Sequence, residues 1–386
     1  MSNEKTLQPA LRFSGCDGDW KSTSLADVVD VRSGRDYKHL NQGSIPVYGT
    51  GGYMLSVDKA LSYNEDAIGI GRKGTIDRPF VLRAPFWTVD TLFYAVPKLN
   101  NDLQFTYSLF QKVNWKDKDE STGVPSLSKV AINGIPVISC SLREQTKIGD
   151  YFQNIDQQLK LYQYKHTKLQ QLKKAMLSKM FPKAGAKVPE MRFAGFSGDW
   201  ETKQFDRVVD FYSGLTYSPK SIVKSNGTLV LRSSNIQNGQ LTFNDNVFVH
   251  HNVVNSINVE AGDIIVVVRN GSRTLIGKHA AVLTSMPNTV IGAFMTGIRT
   301  NQSKFINALL DTPLFQKAVE KNLGATINQI TTGAFKAMEF EFPIDQNEQT
   351  KIGNYFYNLD RLIALQQQHI NKLKNIKQAC LEKMFV

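Results

Sequence analysis

Two short stretches set a basic residue on the lip of a glycine turn. Asp66 is followed by five mostly apolar residues and then Arg72-Lys73-Gly74. Asp263 is followed in the same way by Arg269-Asn270-Gly271. An apolar run of that length reads as a strand, so each stretch delivers a guanidinium to a turn. Arginine presents a planar fork that matches O6 and N7 of guanine, and glycine lets a backbone approach phosphates closely. Thr75 and Arg78 stand beside the first turn; Ser272, Arg273 and Lys278 stand beside the second, with Arg232 and Asn235 upstream of it. The chemistry this set offers is binding to DNA bases and phosphates. Near the end of each longer variable segment, 35–142 and 215–346, a polar loop, Thr122–Ser128 and Gly324–Thr331, adds small side chains suited to base edges or phosphates.

Other chemistries fit the residues poorly. Gly69 to Gly74 matches the dinucleotide fingerprint G-x-G-x-x-G, but Thr75-Ile76-Asp77-Arg78-Pro79 follows where that motif needs a helix. Gly271 to His279 resembles a phosphate loop with one residue too many and a histidine in place of the required Ser or Thr. There is no Asn/Asp-Pro-Pro-aromatic motif and no H-E-x-x-H, and the histidines at 39, 166, 250, 251, 279 and 369 lack ligand spacing. No catalytic group, metal site or cofactor is expected on this chain.

The elements that must position these turns come from the whole chain. Its 386 residues suit two or more domains, and a hydrophobic fraction of 41% supports a sizeable core. The net charge of +12 points to an anionic partner. Cys16, Cys140 and Cys380 are odd in number and far apart, so a reducing, cytoplasmic setting is expected. No signal peptide is expected at the amino end, and the longest aliphatic run, Ile264 to Val268, is too short to cross a bilayer.

The chain repeats itself. PALRFSGCDGDW (Pro9 to Trp20) returns as PEMRFAGFSGDW (Pro189 to Trp200), a shift of 180. REQTKIGDYFQNIDQQL…KMF (Arg143 to Phe181) returns as NEQTKIGNYFYNLDRLI…KMF (Asn347 to Phe385), a shift of 204 with about half the positions identical. Between these blocks, residues 35–142 and 215–346 look largely unrelated and differ in length. Two copies of one frame carry two different inserts, which suggests two sites of different specificity.

The longer repeat has helical periodicity. Ile148, Phe152, Ile155, Leu159, Leu169 and Met176 recur at spacings of a coiled-coil seam, as do Ile352, Phe356, Leu359, Ile363, Ile370 and Leu373. His166, Lys173, Gln366 and Lys377 interrupt the seam. Ser141 with Glu144, and Asp345 with Glu348, have capping-box spacing. Two like helices separated by large domains pair most simply antiparallel, each spanning roughly 57 Å. The first helical block, Arg143 to Lys187, carries ten Lys/Arg against three Asp/Glu, a surplus that could follow phosphates. The inserts themselves read as short strands broken by turns. The fold expected is therefore α+β: two β-rich globular domains joined by two long helices in an antiparallel coiled coil with pseudo-two-fold symmetry. The expected division is 1–142 and 187–346 for the domains, with 143–186 and 347–386 for the helices and linker.

The E-Q-x-K-I-G-x-Y/F helix opening, the R-F-x-G-x-x-G-D-W lead-in, the G-R-K-G-T and W-T-V-D-T-L-F segments and the two-insert layout together resemble the specificity subunit of a type I restriction–modification system. That resemblance implies two target recognition domains on double-stranded DNA, each reading one half of an asymmetric bipartite site. It implies helices that act as a ruler and dock two modification subunits, which methylate adenine with S-adenosylmethionine. Two restriction subunits would add ATP- and Mg²⁺-dependent translocation and cleavage for defence against phage. The chain itself would be non-catalytic.

Overall fold

A computed structural model describes residues 7–323 and 328–386. The chain forms two compact units, Met1–Tyr164 with Gln367–Val386, and Lys165–Gln366. Each long helix begins in one unit and ends in the other.

The first unit runs β1 (Lys21–Ser24), α1 (Leu25–Val28), β2 (Val29–Ser33), β3 (Gln42–Gly49), β4 (Gly52–Val57), β5 (Ala67–Gly71), β6 (Phe80–Leu82), β7 (Trp87–Thr88), β8 (Leu92–Pro97), α2 (Leu103–Lys112), α3 (Lys129–Asn133) and β9 (Pro136–Ser139), then enters α4 (Leu142–Met180). The second runs β10 (Glu201–Gln204), β11 (Asp210–Ser213), β12 (Ile222–Val223), β13 (Thr228–Leu231), β14 (Ile236–Gln237), β15 (Gln240–Leu241), β16 (Val247–Val249), β17 (Ile264–Val267), β18 (His279–Ala281), β19 (Thr289–Ile291), β20 (Met295–Arg299), α5 (Ser303–Leu310), α6 (Pro313–Asn322), α7 (Thr332–Lys336) and β21 (Glu339–Phe342), then enters α8 (Gln346–Lys383).

The inserts look unrelated in sequence but share a topology. In the first unit an antiparallel sheet has the order β2-β8-β5-β6; in the second the order is β11-β20-β17-β18. Each unit adds one parallel pair, β3 with β7 and β13 with β19. The central strands β5 and β17 are buried along their whole length, which explains their unbroken apolar runs. Each insert is closed by an antiparallel pair, β1 with β9 and β10 with β21.

The repeated motifs lock each insert to the helices. In the first unit Arg12 donates from Nε and Nη2 to Glu144 at 2.7 and 2.8 Å; in the second Arg192 does the same to Glu348 at 2.6 and 2.7 Å. Both carboxylates are buried, and a bidentate guanidinium is the partner that makes such burial tolerable. This overturns the capping-box expectation: the glutamates turn to arginine instead of reaching back, while Ser141 and Asp345 still cap. The next residue, Gln145 or Gln349, donates to the carbonyl of Cys140 or Pro343 at 2.9 Å, tying each helix start to the strand before it. Gly149 and Gly353 let α2 and α5 approach: a methyl at Gly353 would lie 2.6 Å from the Phe305 amide nitrogen, and one at Gly149 would lie 2.9 Å from that of Phe105. Trp20, Phe105, Phe152 and Phe385 form an aromatic cluster in the first unit, and Trp200, Phe305, Phe356 and Phe181 form its counterpart in the second. The main chain repeats the pattern: Leu11 N donates to Lys383 O, and Met191 N to Lys179 O.

Within each unit the helix halves run antiparallel. Early α4 meets late α8 in the first, through Tyr151 with Cys380 and Tyr162 with His369. The end of α4 meets early α8 in the second, through Phe181, the residue just after α4, with Phe356. Ile148, Phe152, Ile155, Leu159, Ile352, Phe356, Leu359 and Ile370 are buried; Leu169, Met176, Ile363 and Leu373 are half-buried. The seam lysines are paired. Lys377 donates to Asp156 at 2.6 Å in the first unit, and Lys173 to Asp360 at 2.5 Å in the second. Lys173 also reaches Asp311 at 2.6 Å, and Asp311 lies 3.4 Å from the buried His279. Burial alone would depress the His279 pKa, yet the hydrogen bond and charge of Asp311 raise it. Burial would raise Asp311, but His279 and Lys173 hold it well below the usual carboxylate range. Asp360 is pushed up by burial, which Lys173 only partly offsets.

Candidate nucleic-acid interface

Three segments converge at one edge of each unit. In the first these are the β3–β4 hairpin tip, the turn Arg72–Gly74 after β5, and the polar loop 122–128. Arg72 N and Lys73 N donate to Thr91 O at 2.8 and 3.2 Å, on the strand-β8 side. On the other side Gly74 N donates to Pro125 O and Leu127 N to Arg72 O, so the turn is held between β8 and the polar loop. A methyl at Gly74 would be 3.9 Å from Thr50 Oγ1, which puts the hairpin tip alongside, and the positive φ of 89° at Gly74 favours glycine. Arg72 is tethered to its own framework: Nη1 donates to Asp90 O at 3.3 Å, and the guanidinium lies 5.8 Å from the Phe93 ring. Thr75 is half-buried, and its carbonyl packs so closely on Gly71 that no side chain fits there. Arg78 is exposed.

The second unit repeats the arrangement. Val268 N and Arg269 N donate to Phe294 O at 3.0 and 3.2 Å; Asn270 N donates to Asn328 O, and Ile330 N to Val268 O. The third segment is the β13–β16 connection, 232–246. Asn270 Nδ2 donates to Ser233 Oγ at 2.9 Å and so joins the turn to it. Ser272 N donates to Asn270 Oδ1, and Asn328 Nδ2 to Gly271 O, closing the loop. Gly324, Ala325, Thr326 and Ile327 lie outside the described residues.

The matched hydrogen bonds correct the sequence alignment of the two turns by one residue. Lys73 and Arg269 each take the second bond from the β8 or β20 side, and they bridge to Ser126 and Gln329 respectively. The structural counterpart of Arg269 is therefore Lys73, and that of Arg72 is Val268. The shared pattern of an acid, five mostly apolar residues and Arg-x-Gly had suggested the other register, yet one residue of slip in a strand exchanges its two faces. The acids of the two motifs are anchors: Asp66 pairs with Arg83 at 2.6 Å, and the buried Asp263 with Arg299 at 2.8 Å.

Arg72, Lys73, Arg78, Arg269, Arg273 and Lys278 are exposed, and among the described residues none is in an ion pair. Exposed cations outside ion pairs suit an external polyanion. Arg232 differs, being paired with Asp245 at 2.8 Å. Asn235 differs more: it is fully buried, accepts from Arg232 N, and donates to Thr242 O and Asp245 O. It braces the 232–246 segment from inside, so its amide is spent on its own backbone. Sequence reasoning missed the exposed aromatic and apolar residues at these edges: Tyr53 and Met54 after the hairpin tip, Phe243 on the long connection, and Phe294 under Arg269. The Thr50-Gly51-Gly52 and Asn238-Gly239 turns were the available signals.

Among the described residues no group of His, Cys, Asp and Glu could hold a metal ion, and no helix is long and apolar enough to cross a membrane.

The profile of the type I restriction modification DNA specificity domain matches residues 17–174 and 197–375. The type I restriction enzyme EcoKI specificity subunit of Escherichia coli (strain K12) is 26% identical over 194 residues, 47% of this chain and 41% of that protein. The StySPI specificity subunit of Salmonella potsdam is 24% identical over 193 residues, 47% of this chain and 42% of that protein. These matches span under half the length of either relative. The crystal structure of a type I restriction–modification system S subunit from M. genitalium superposes with a TM-score of 0.73 at 15% identity, covering 98% of this chain and 99% of the other.

Proposed function

The chain belongs to the type I restriction modification DNA specificity family, and from that membership we propose that it is the DNA-reading subunit of such a system. One observation carries the reading: each unit presents a cationic three-loop edge on the same scaffold, but with different residues on it. Two unlike readers on one chain call for a bipartite, asymmetric target with an unread spacer. The exposed cations contact phosphates and base edges, and the basic surface of α4 adds affinity that carries no sequence information. In this reading the helices also dock two modification subunits and, with them, two restriction subunits. S-adenosylmethionine, ATP and Mg²⁺ belong to those partners. This chain supplies the address and no catalysis.

The test is selection of random-sequence duplex DNA by the full chain, alone and with its modification partners. Two dissimilar conserved segments separated by a fixed gap are expected. Seven residues inserted in both helices keep the seam and lengthen each by about 10 Å, so the gap should grow by about three base pairs. A single palindromic target, no preference at any salt concentration, or an unchanged gap in the insertion variant would refute the corresponding part of the reading.

A further inference from the structure

Among the differences between the two edges is one that joins two matched positions. In the second unit Arg269 and Phe294 face each other; in the first their counterparts are Lys73 and Thr91. Phe294 is 51% exposed, so its ring is open to a partner. The Arg269 guanidinium lies 4.9 Å from the centre of that ring, within cation–π range. The same residue's carbonyl accepts from Val268 N and Arg269 N. One residue thus fixes both the main chain and the side chain of Arg269. Thr91 accepts the matching main-chain bonds but has no ring to offer. Lys73 in turn is a compact charge on a flexible stem, with no plane to orient.

We propose that Phe294 is a positioning residue that holds the Arg269 fork ready for a base edge in one half-target, whereas Lys73, at the matched position, makes a less stringent contact in the other. This rests on the reading of the edges as DNA readers. A planar, bidentate donor discriminates bases only when its orientation is set, and stacking sets it before DNA arrives. An unstacked lysine at the matched position adds charge without direction.

The experiment compares base preference, position by position, for random duplex DNA selected by the full chain and its variants. Arg269→Ala should erase preference at one or two adjacent positions of one half-target, a loss of roughly fivefold to over a hundredfold. Phe294→Leu, which keeps apolar bulk, should flatten the same positions by about two- to fivefold. Phe294→Tyr should restore them. The Phe294→Leu variant should melt at the parent temperature. In the first unit Lys73→Arg with Thr91→Phe should sharpen one position of the other half-target. If Arg269→Ala loses preference and Phe294→Leu keeps it, the platform role fails while the DNA reading stands. If Arg269→Ala itself changes nothing, the turn is not a base reader and the inference falls with that reading. If Phe294→Leu and Phe294→Tyr weaken all positions alike, the ring is only structural and the proposal is overturned.

Discussion

Replacing a helical glycine by alanine usually stabilises, because alanine is the better helix former by about 1 kcal/mol. Gly353→Ala in α8 should do the reverse. The added methyl would sit 2.6 Å from the Phe305 amide nitrogen and 3.0 Å from the Lys304 carbonyl carbon. Both atoms are backbone, so no side chain can swing away. Relief needs α8 and α5 to separate by about 1 Å, in the layer where Ile352, Phe356 and Phe305 are buried. Overpacking of that kind costs about 1–3 kcal/mol. Against a propensity gain of about 1 kcal/mol, the expected outcome is a net loss of up to roughly 2 kcal/mol, or about 4–8 °C in a domain of this size. Gly333→Ala in α7 is the matched control, since nothing lies within 4 Å of its added methyl. That variant should gain up to about 1 kcal/mol. The assay is thermal and urea unfolding of both variants beside the parent. A Gly353→Ala protein as stable as the parent, or more so, would refute the claim that this motif glycine exists for close helix approach.

Two further outcomes follow from the seam. Asp156→Asn should leave Lys377, whose side chain is only 15% exposed, without its carboxylate and lower stability by about 1–3 kcal/mol. Asp156→Leu with Lys377→Leu should recover most of that loss in a urea titration; equal instability of single and double variants would count against the pair. In the second unit the raised His279 pKa means its contribution is complete below about pH 6.5 and is lost as pH rises through the folded value. The lowered Asp311 pKa means its contribution is present above about pH 4 and is lost in acid. Melting temperature should therefore fall as pH rises above about 6.5 more steeply in the parent than in His279→Gln; identical slopes would show that the histidine is not charged in the network.

The sequence made the frame legible and hid the reasons for it. Repeats at shifts of 180 and 204 mark the two lead-ins and the two helices, and apolar periodicity finds their seam. The chemistry of E-Q-x-K-I-G could not be read locally. Its glutamate answers an arginine more than a hundred residues earlier, and its glycine answers the start of another helix. A capping box was the best local explanation, and a distant guanidinium displaced it. The common topology of the inserts was invisible because strand identity lies in burial, not in residue type. The two Arg turns were found from sequence. Their register was one residue out, because apolar runs buried on both faces carry no alternation to mark which face is which. Asn235 looked like a surface amide because nothing in its own sequence neighbourhood announces burial.

The reciprocal seam pairs also select a direction. Asp156 and Lys173 on α4 correspond, at a shift of 204, to Asp360 and Lys377 on α8. Run in the same sense at matched register, the helices would set acid against acid and base against base. Reversed, each acid meets a base, so a single duplicated sequence becomes its own complement. Copying one gene segment therefore yielded a lock together with its key, with no need for the two copies to diverge before they could recognise each other.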